Sequence, residues 1–308
     1  MSGKVLITGG FGNLGSYITK EFSEYGYDVY ILTRKEKQQL ANIQYTVIET
    51  DITNIDILKQ KLDIEFDYCV HLASYNEFFI DDYPQKALDI NTLGTRNLLE
   101  VLSEKNLKKF IYFSTFHVYG ASDGMIDEST ALNPKNDYAS THLFAEYYVK
   151  QFGITHDLNY TILRLSNSYG VPLFKDTDKW YLVLNDLVKS AYENGEIIIK
   201  SNGKSTRDFI WMKDVATITK DLLYLEEKNI YNLASAKSYQ VIEIASIIKV
   251  EYEKRYNKSI QITVNKDDIT KYKDLMVSNR KLKNVLKLDL HEMFSEEINN
   301  IFNLLESK

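Results

Sequence analysis

Short apolar runs and helical repeats alternate along the first half of the chain. Val5-Leu6-Ile7, Asp28-Val29-Tyr30-Ile31-Leu32, Tyr45-Thr46-Val47-Ile48, Tyr68-Cys69-Val70-His71-Leu72 and Phe110 to Phe113 are too short for buried helices and rich in β-branched and aromatic residues, so they predict five strands. Between them, Ile18, Phe22 and Tyr25 recur at helical spacing, and Pro84 opens a long helix towards Glu104 with Ala87, Ile90, Leu98 and Val101 on its apolar side. A further helix runs from Tyr138 through Phe144, Tyr148 and Phe152, and Tyr160 to Leu165 follows as a sixth strand. Strands that alternate with helices imply a parallel sheet covered on both faces. The expected fold is therefore α/β, a Rossmann-type doubly wound parallel sheet with ligands beyond the carboxyl ends of its strands.

Past Leu165 the even alternation stops. A loop with Pro172 leads to a helix from about Trp180 to Tyr192. Asn194-Gly195 and Asn202-Gly203 mark turns around a strand Ile197 to Ile199. Strand Phe209 to Met212, helix Val215 to Leu225, strand Ile230 to Leu233 and helix Val241 to Tyr252 complete a mixed region. Residues 1–170 are expected to form a dinucleotide-binding domain, to which 206–233 return, and 171–308 to be mainly a smaller mixed α/β substrate-binding region. The C-terminal stretch rich in Lys and Asn reads as solvated helix surface.

At 308 residues and a net charge of -6, the chain is long enough for a large core and too acidic for a broad electrostatic grip on nucleic acid or an anionic membrane. It has no apolar run of membrane-spanning or signal length, and Met1-Ser2-Gly3-Lys4 lead straight into the first strand. Its one cysteine, Cys69, lies in an apolar strand; no internal disulfide is possible, and a reducing cytoplasm fits. The histidines at 71, 117, 142, 156 and 291 have no paired metal-ligand spacing, so no metal site is expected.

Three stretches carry candidate chemistry. Thr8-Gly9-Gly10-Phe11-Gly12-Asn13-Leu14-Gly15 lies between the first strand and the first helix, where backbone amides at a helix N-terminus favour a pyrophosphate. At the end of the second strand, where a ribose-binding acid is expected, Thr33-Arg34-Lys35 stands instead, and two cations lean locally towards the 2′-phosphate of NADP. Tyr138 and His142, four residues apart, share a helix face, which makes the tyrosine a candidate proton carrier beside an ionisable ring.

With these pieces placed, the chain resembles the extended short-chain dehydrogenase/reductase family, and within it the nucleotide-sugar epimerases and dehydratases, over nearly its whole length. The glycine stretch from Thr8 to Gly15 matches that family's T-G-x-x-G-x-x-G cofactor loop. Asp51-Ile52 looks like its adenine-contacting pair, His71-Leu72-Ala73-Ser74 like its cofactor-wall strand end, and Asn91-Thr92-Leu93-Gly94-Thr95 like the helix motif that precedes the catalytic strand. The resemblance thus implies cofactor contacts from Gly9, Phe11, Gly12, Asn13, Leu14, Gly15, Arg34, Asp51, Ile52, Leu72, Ala73, Ser74 and Asn91, together with Tyr138 and His142.

Phe113-Ser114-Thr115-Phe116-His117-Val118-Tyr119-Gly120 is similar to the segment that supplies the catalytic Ser or Thr, here Thr115. The resemblance places Asn167 against a substrate diphosphate, and Arg207, in a stretch that looks like the family's R-D-F-x-x-x-x-D-V run, on the nucleotide; as a surface residue, Arg207 would instead pair with Asp208 or Asp214. Thr115, His117, Asn167 and Arg207 are the implied substrate-binding residues.

Two departures stand out. The family's Y-x-x-x-K helix carries His142 in place of the lysine, so the ribose bond is kept but the fixed charge that depresses the tyrosine pKa is not. Phe116-His117 replaces the acidic pair that dehydratases carry after the threonine, so oxidation or epimerisation is expected ahead of dehydration. The implied activity is NAD-dependent oxidation at carbon 4 of a nucleotide-diphosphate sugar, in closest resemblance to bacterial enzymes of GDP-heptose modification for capsule polysaccharide. The alternatives are a 4-epimerase and a non-catalytic cofactor-binding sensor or scaffold. On this resemblance the cofactor is NAD, with NADP as the local alternative, and a homo-oligomer is implied.

Overall fold

The computed structural model describes residues 3–36, 42–76, 84–174 and 179–307. Its first part runs β1 (Lys4–Thr8), α1 (Asn13–Glu24), β2 (Asp28–Thr33), β3 (Thr46–Glu49), α2 (Ile55–Lys61), β4 (Tyr68–His71), α3 (Pro84–Ala87), a π-helical stretch (Leu88–Gly94), α4 (Thr95–Ser103), β5 (Lys109–Thr115), β6 (Gly124–Ile126), α5 (Asp137–Thr155), β7 (Tyr160–Leu165) and β8 (Asn167–Tyr169). The rest runs α6 (Val183–Asn194), β9 (Glu196–Ile199), β10 (Thr206–Trp211), α7 (Met212–Asp221), β11 (Asn229–Leu233), β12 (Ser238–Gln240), α8 (Val241–Tyr256), β13 (Gln261–Val264), β14 (Leu275–Val277), α9 (Arg280–Lys283) and α10 (Phe294–Glu306).

Seven strands form one parallel sheet in the order β11-β7-β5-β4-β1-β2-β3. Successive side chains of a strand point to opposite faces, and here each face has its own core. Val5 and Ile7 of β1 and Ile111 and Phe113 of β5 enter one core with Ile18 and Phe22 of α1 and Val215 and Ile218 of α7. Leu6, Phe110 and Tyr112 enter the other, with Leu98 and Leu102 of α4 and Val149 and Phe152 of α5. This is the doubly wound architecture the alternating sequence predicts.

The chain leaves β1 for β2 on one side and resumes at β4 on the other, so a crevice opens at the carboxyl ends of β1 and β4. A third core joins α6, α8 and α10, and the C-terminal stretch contributes Phe294, Ile298, Ile301, Phe302 and Leu305 to it. Beside this core β10 pairs with β8 and β12, whereas β11 joins the edge of the large sheet.

Two features depart from the predicted elements. The helix from Pro84 towards Glu104 widens into a π stretch, where Asn91 takes the Tyr75 amide at 2.6 Å and donates to Thr141 Oγ1 at 3.0 Å, and a Cβ on Gly94 would stand 2.7 Å from Ile52 Cδ1. The wide turn lets the helix cross both α5 and the Asp51 loop. The other feature is a pair of small parallel sheets, β13 with β9 and β14 with β6. None of the helices among the described residues is long and apolar enough to cross a membrane.

Candidate functional site

The glycine turn after β1 is fixed by three close approaches. Gly9 sits at φ +70°, and a Cβ there would lie 2.9 Å from the Ala73 amide nitrogen. Gly12 N donates to Gly9 O at 2.8 Å, and a Cβ on Gly15 would be only 2.0 Å from Gly9 O. Across the crevice, Thr8 Oγ1 accepts from the amides of Leu72 and Ala73 at 3.2 and 3.0 Å.

The fully buried His71 ring continues this clamp, with Nδ1 2.6 Å from Thr8 Oγ1 and Nε2 2.8 Å from Thr95 Oγ1. Thr95 gives its own proton to Asn91 O, so it accepts from Nε2–H, and Nδ1 accepts from Thr8. Burial pushes the His71 pKa down to about 3, so the ring is a neutral brace.

A cavity of about 370 Å³ lies over this turn, lined among others by Gly9, Gly12, Asn13, Leu14, Gly15, Arg34, Asp51, Ile52, Leu72, Ala73, Ser74, Tyr138 and His142. Arg34 is exposed at its rim, and no carboxylate stands at the end of β2. Asp51 faces the cavity with one oxygen held by the Thr53 amide and hydroxyl at 2.9 and 2.8 Å. Two of the expected residues do not bring their side chains to this cavity. The Phe11 side chain is buried in the core against Tyr45 and Phe174, with ring centroids 5.6 and 5.7 Å away, which leaves only its backbone to the turn. Asn91 is 1 % exposed, and its amide is engaged with Tyr75 and Thr141; it holds the wall of the cavity and does not line it.

Several of the buried polar atoms left without a partner among the described residues belong to side chains that line this same cavity. Asn13 Nδ2 and Oδ1, at the first position of α1, and His142 Nε2 are buried and have no hydrogen-bond partner. Buried polar atoms are seldom left so. A polar ligand along the cavity would satisfy them, and its phosphates would meet the N-terminus of α1.

Tyr138 is set by the first turn of α5, which Asn136 caps by accepting from the Ala139 amide at 2.8 Å. The Tyr138 and His142 rings meet edge to face with centroids 4.6 Å apart. Thr115, at the end of β5, is hydrogen-bonded to the Tyr138 hydroxyl. Burial pushes the Tyr138 pKa up to about 12, against the pull of the Thr115 bond. His142 is 3 % exposed, and burial, with His71 and His117 nearby, holds its pKa at about 3. It therefore stands beside Tyr138 as a neutral ring, with Nδ1 2.7 Å from the Tyr112 hydroxyl.

Tyr138 also lines a second cavity of about 380 Å³, with Thr115, Phe116, His117, Asn167 and Arg207. Asn167 Nδ2 donates to Asp208 O at 2.9 Å. Arg207 has no ion pair among the described residues. The Asp208 carboxylate is taken by Ser166 and Ser235, and that of Asp214 by the amide and ring of His291, so neither forms the surface pair that sequence alone allows. A guanidinium left partly buried, whose pKa is lowered by desolvation, is a site for an anion. Burial and the charge of Arg207 lower the His117 pKa as well. Among the described lining residues there is no carboxylate. No group of His, Cys, Asp and Glu that could hold a metal occurs among the described residues.

Asn76, Tyr181 and Asn185 also line this second cavity and carry no motif that sequence reasoning could have used. Asn185 belongs to α6 and is 2 % exposed, with its amide donating to Lys179 O at 3.1 Å. Only the packing of α6 against β9, α8 and α10 brings it there.

The profile of the NAD dependent epimerase/dehydratase family matches residues 5–234. A putative UDP-glucose 4-epimerase of Methanocaldococcus jannaschii is 32% identical over 256 residues, covering 80% of this chain and 82% of that protein. A GDP-6-deoxy-D-talose 4-dehydrogenase of Aggregatibacter actinomycetemcomitans is 27% identical over 293 residues, covering 93% and 92%. Among solved structures, the UDP-glucuronic acid 4-epimerase of Bacillus cereus, in complex with UDP-glucuronic acid and NAD, superposes with a TM-score of 0.81 at 22% identity and covers 99% of each chain. With its glycine turn, its open polar atoms along one cavity and its tyrosine at the junction with a second, this chain belongs to the NAD dependent epimerase/dehydratase family of nucleotide-sugar enzymes, and its cofactor is NAD.

Proposed function

We propose that the protein oxidises carbon 4 of a nucleotide-diphosphate sugar to a 4-keto sugar and releases it, as a 4-dehydrogenase. The observation that carries this reading is the hydrogen bond of Thr115, in the second cavity, to Tyr138 at the junction of the two, with Arg207, which has no ion pair among the described residues, in the second. Tyr138 takes the proton of the 4-hydroxyl, Thr115 hydrogen-bonds the same oxygen, and Asn167 and Arg207 hold the diphosphate end. His142 Nε2 faces the cofactor, and His117 lies on the sugar side. NAD, when bound, supplies the acceptor for the hydride that leaves carbon 4. The same pair argues for an enzyme over a sensor or scaffold.

Phe116, 9 % exposed on the wall of the second cavity, cannot move a proton, so elimination of water lacks its acid there. The GDP-6-deoxytalose relative supports a guanine nucleotide and chemistry at carbon 4. The heptose, and a role in capsule synthesis in the cytoplasm, rest on the resemblance in sequence. A 4-epimerase is the second reading, favoured by the Methanocaldococcus relative; it differs only in returning the hydride to the other face of the same carbon.

The test is to offer the purified protein and NAD a set of GDP-, UDP- and dTDP-sugars and to weigh the products. Loss of two hydrogens is expected. An unchanged mass with a new stereoisomer would establish the epimerase, loss of water would overturn the reading of Phe116, and no turnover with any sugar would overturn the enzyme.

The neutral state of His142 yields a further expectation. A phenol at about 12 is mostly protonated near neutrality, so the rate should climb with pH, and any group that lowers this pKa moves the climb to lower pH. His142→Lys places a cation there. Each unit by which it lowers the phenol raises the phenolate fraction at neutral pH about tenfold. The expected kcat at pH 7 is therefore equal to or up to about tenfold above wild type. Loss of activity at every pH with NAD still bound would show that the imidazole has another task.

A further inference from the structure

We propose that Tyr112 is a positioning residue that holds His142 in the tautomer with its proton on Nε2, so that the ring presents one donor to an acceptor oxygen of NAD. The inference rests on counting protons. The Tyr112 hydroxyl is buried in the core beneath the sheet, and among the described residues His142 Nδ1, 2.7 Å away, is its hydrogen-bond partner. If Nδ1 carried the proton and donated, the phenolic hydrogen would have no acceptor and would be stranded in an apolar core, at a cost of about 1–3 kcal/mol. The phenol therefore donates, Nδ1 accepts, and the remaining proton sits on Nε2. Nε2 is also the atom that is buried, open and turned to the cofactor cavity.

The same bond opposes protonation of the ring. An imidazolium would need both nitrogens to donate, and Tyr112 offers Nδ1 a hydrogen and not a lone pair unless the phenol gives up its only acceptor. Tyr112 is thus built into β5 as the partner that an imidazole requires on α5 and that a lysine at the same position would not.

The tautomer can be read without any sugar substrate, so its failure is separate from that of the proposed reaction. In protein labelled with ¹⁵N-histidine, with and without NAD, His142 is expected to show a pyrrole-type Nε2 and a pyridine-type Nδ1. In Tyr112→Phe the tautomer should become mixed or reverse, and the Kd for NAD should rise about three- to tenfold, the worth of one hydrogen bond. In the His142→Lys background the same substitution should change the Kd by about twofold or less, because a residue that acts through the imidazole has nothing left to act on. A protonated Nδ1 in the wild type overturns the proposal, and this holds even if Tyr112→Phe does not fold. An unchanged tautomer in Tyr112→Phe, or an equal loss of NAD affinity in both backgrounds, overturns it as well and leaves Tyr112 as core packing.

Discussion

Tyr138→Phe is expected to lower kcat for sugar oxidation by about 10²–10⁴-fold while the Kd for NAD changes little. The substitution removes one oxygen at the junction of the two cavities and keeps the ring that packs at 4.6 Å on His142. The oxygen is the group hydrogen-bonded to Thr115 and the one that, in the proposed reaction, accepts the proton of the 4-hydroxyl. In the wild type, the pKa pushed up to about 12 by burial means that, below that value, the proton-accepting form grows roughly tenfold for each unit by which the pH rises. His142, held neutral at about 3, adds no charge to oppose this. Wild-type kcat should therefore rise with pH through the neutral range, whereas the residual rate of Tyr138→Phe should be flat, because the titrating group is gone. A variant that keeps more than about a tenth of the activity, or keeps the wild-type slope, would remove Tyr138 from the role of base.

The parts of this site that follow chain periodicity were legible before the structure. Tyr138 and His142 are four apart on one helix, and the glycine turn interrupts a strand-to-helix pattern, so local geometry alone places each. Thr115 was reached through resemblance, since a threonine at a strand end has no distinguishing pattern of its own. Tyr112 was not legible: in a strand that reads as apolar its hydroxyl is invisible until α5 lays His142 across it. Phe11 and Asn91 show what a motif leaves open. Each lies in a motif that the resemblance assigns to the cofactor, but Phe11 turns its ring into the core and Asn91 is engaged by its neighbours. Strands β6 and β14 each span three residues and pair across most of the second half of the chain, and so carry too few positions for a period-2 pattern. The π stretch sits where Asn91 meets Thr141 and Gly94 meets Ile52, contacts in space that no helical repeat encodes.

Arg164→Met is expected to destabilise the protein by about 3–5 kcal/mol, read as a fall in the urea midpoint. Arg164 of β7 holds Glu146 of α5 through two bonds, Nε to Oε1 at 3.0 Å and Nη2 to Oε2 at 2.7 Å, and the two side chains are 3 % and 0 % exposed. Ser114 of β5 donates to Glu146 Oε1 at 2.6 Å, and Arg164 Nη1 donates to the Tyr119 hydroxyl, which passes its own proton to Asn232 of β11. Removing the guanidinium leaves a carboxylate without its countercharge in a dry interior. The double variant Glu146→Leu/Arg164→Met should recover most of the loss, because an apolar pair of similar volume carries no desolvation cost; the deficit that remains is the Ser114 hydroxyl left without its acceptor, about 1–3 kcal/mol. Glu146 is two turns beyond Tyr138 on the same face of α5, so this ion pair also fixes how the helix lies on the sheet. If the double variant regains stability with kcat near wild type, the pair serves the fold. If stability returns while kcat stays low, the pair sets the distance between Tyr138 and Thr115, and α5 owes its catalytic register to a salt bridge outside the site.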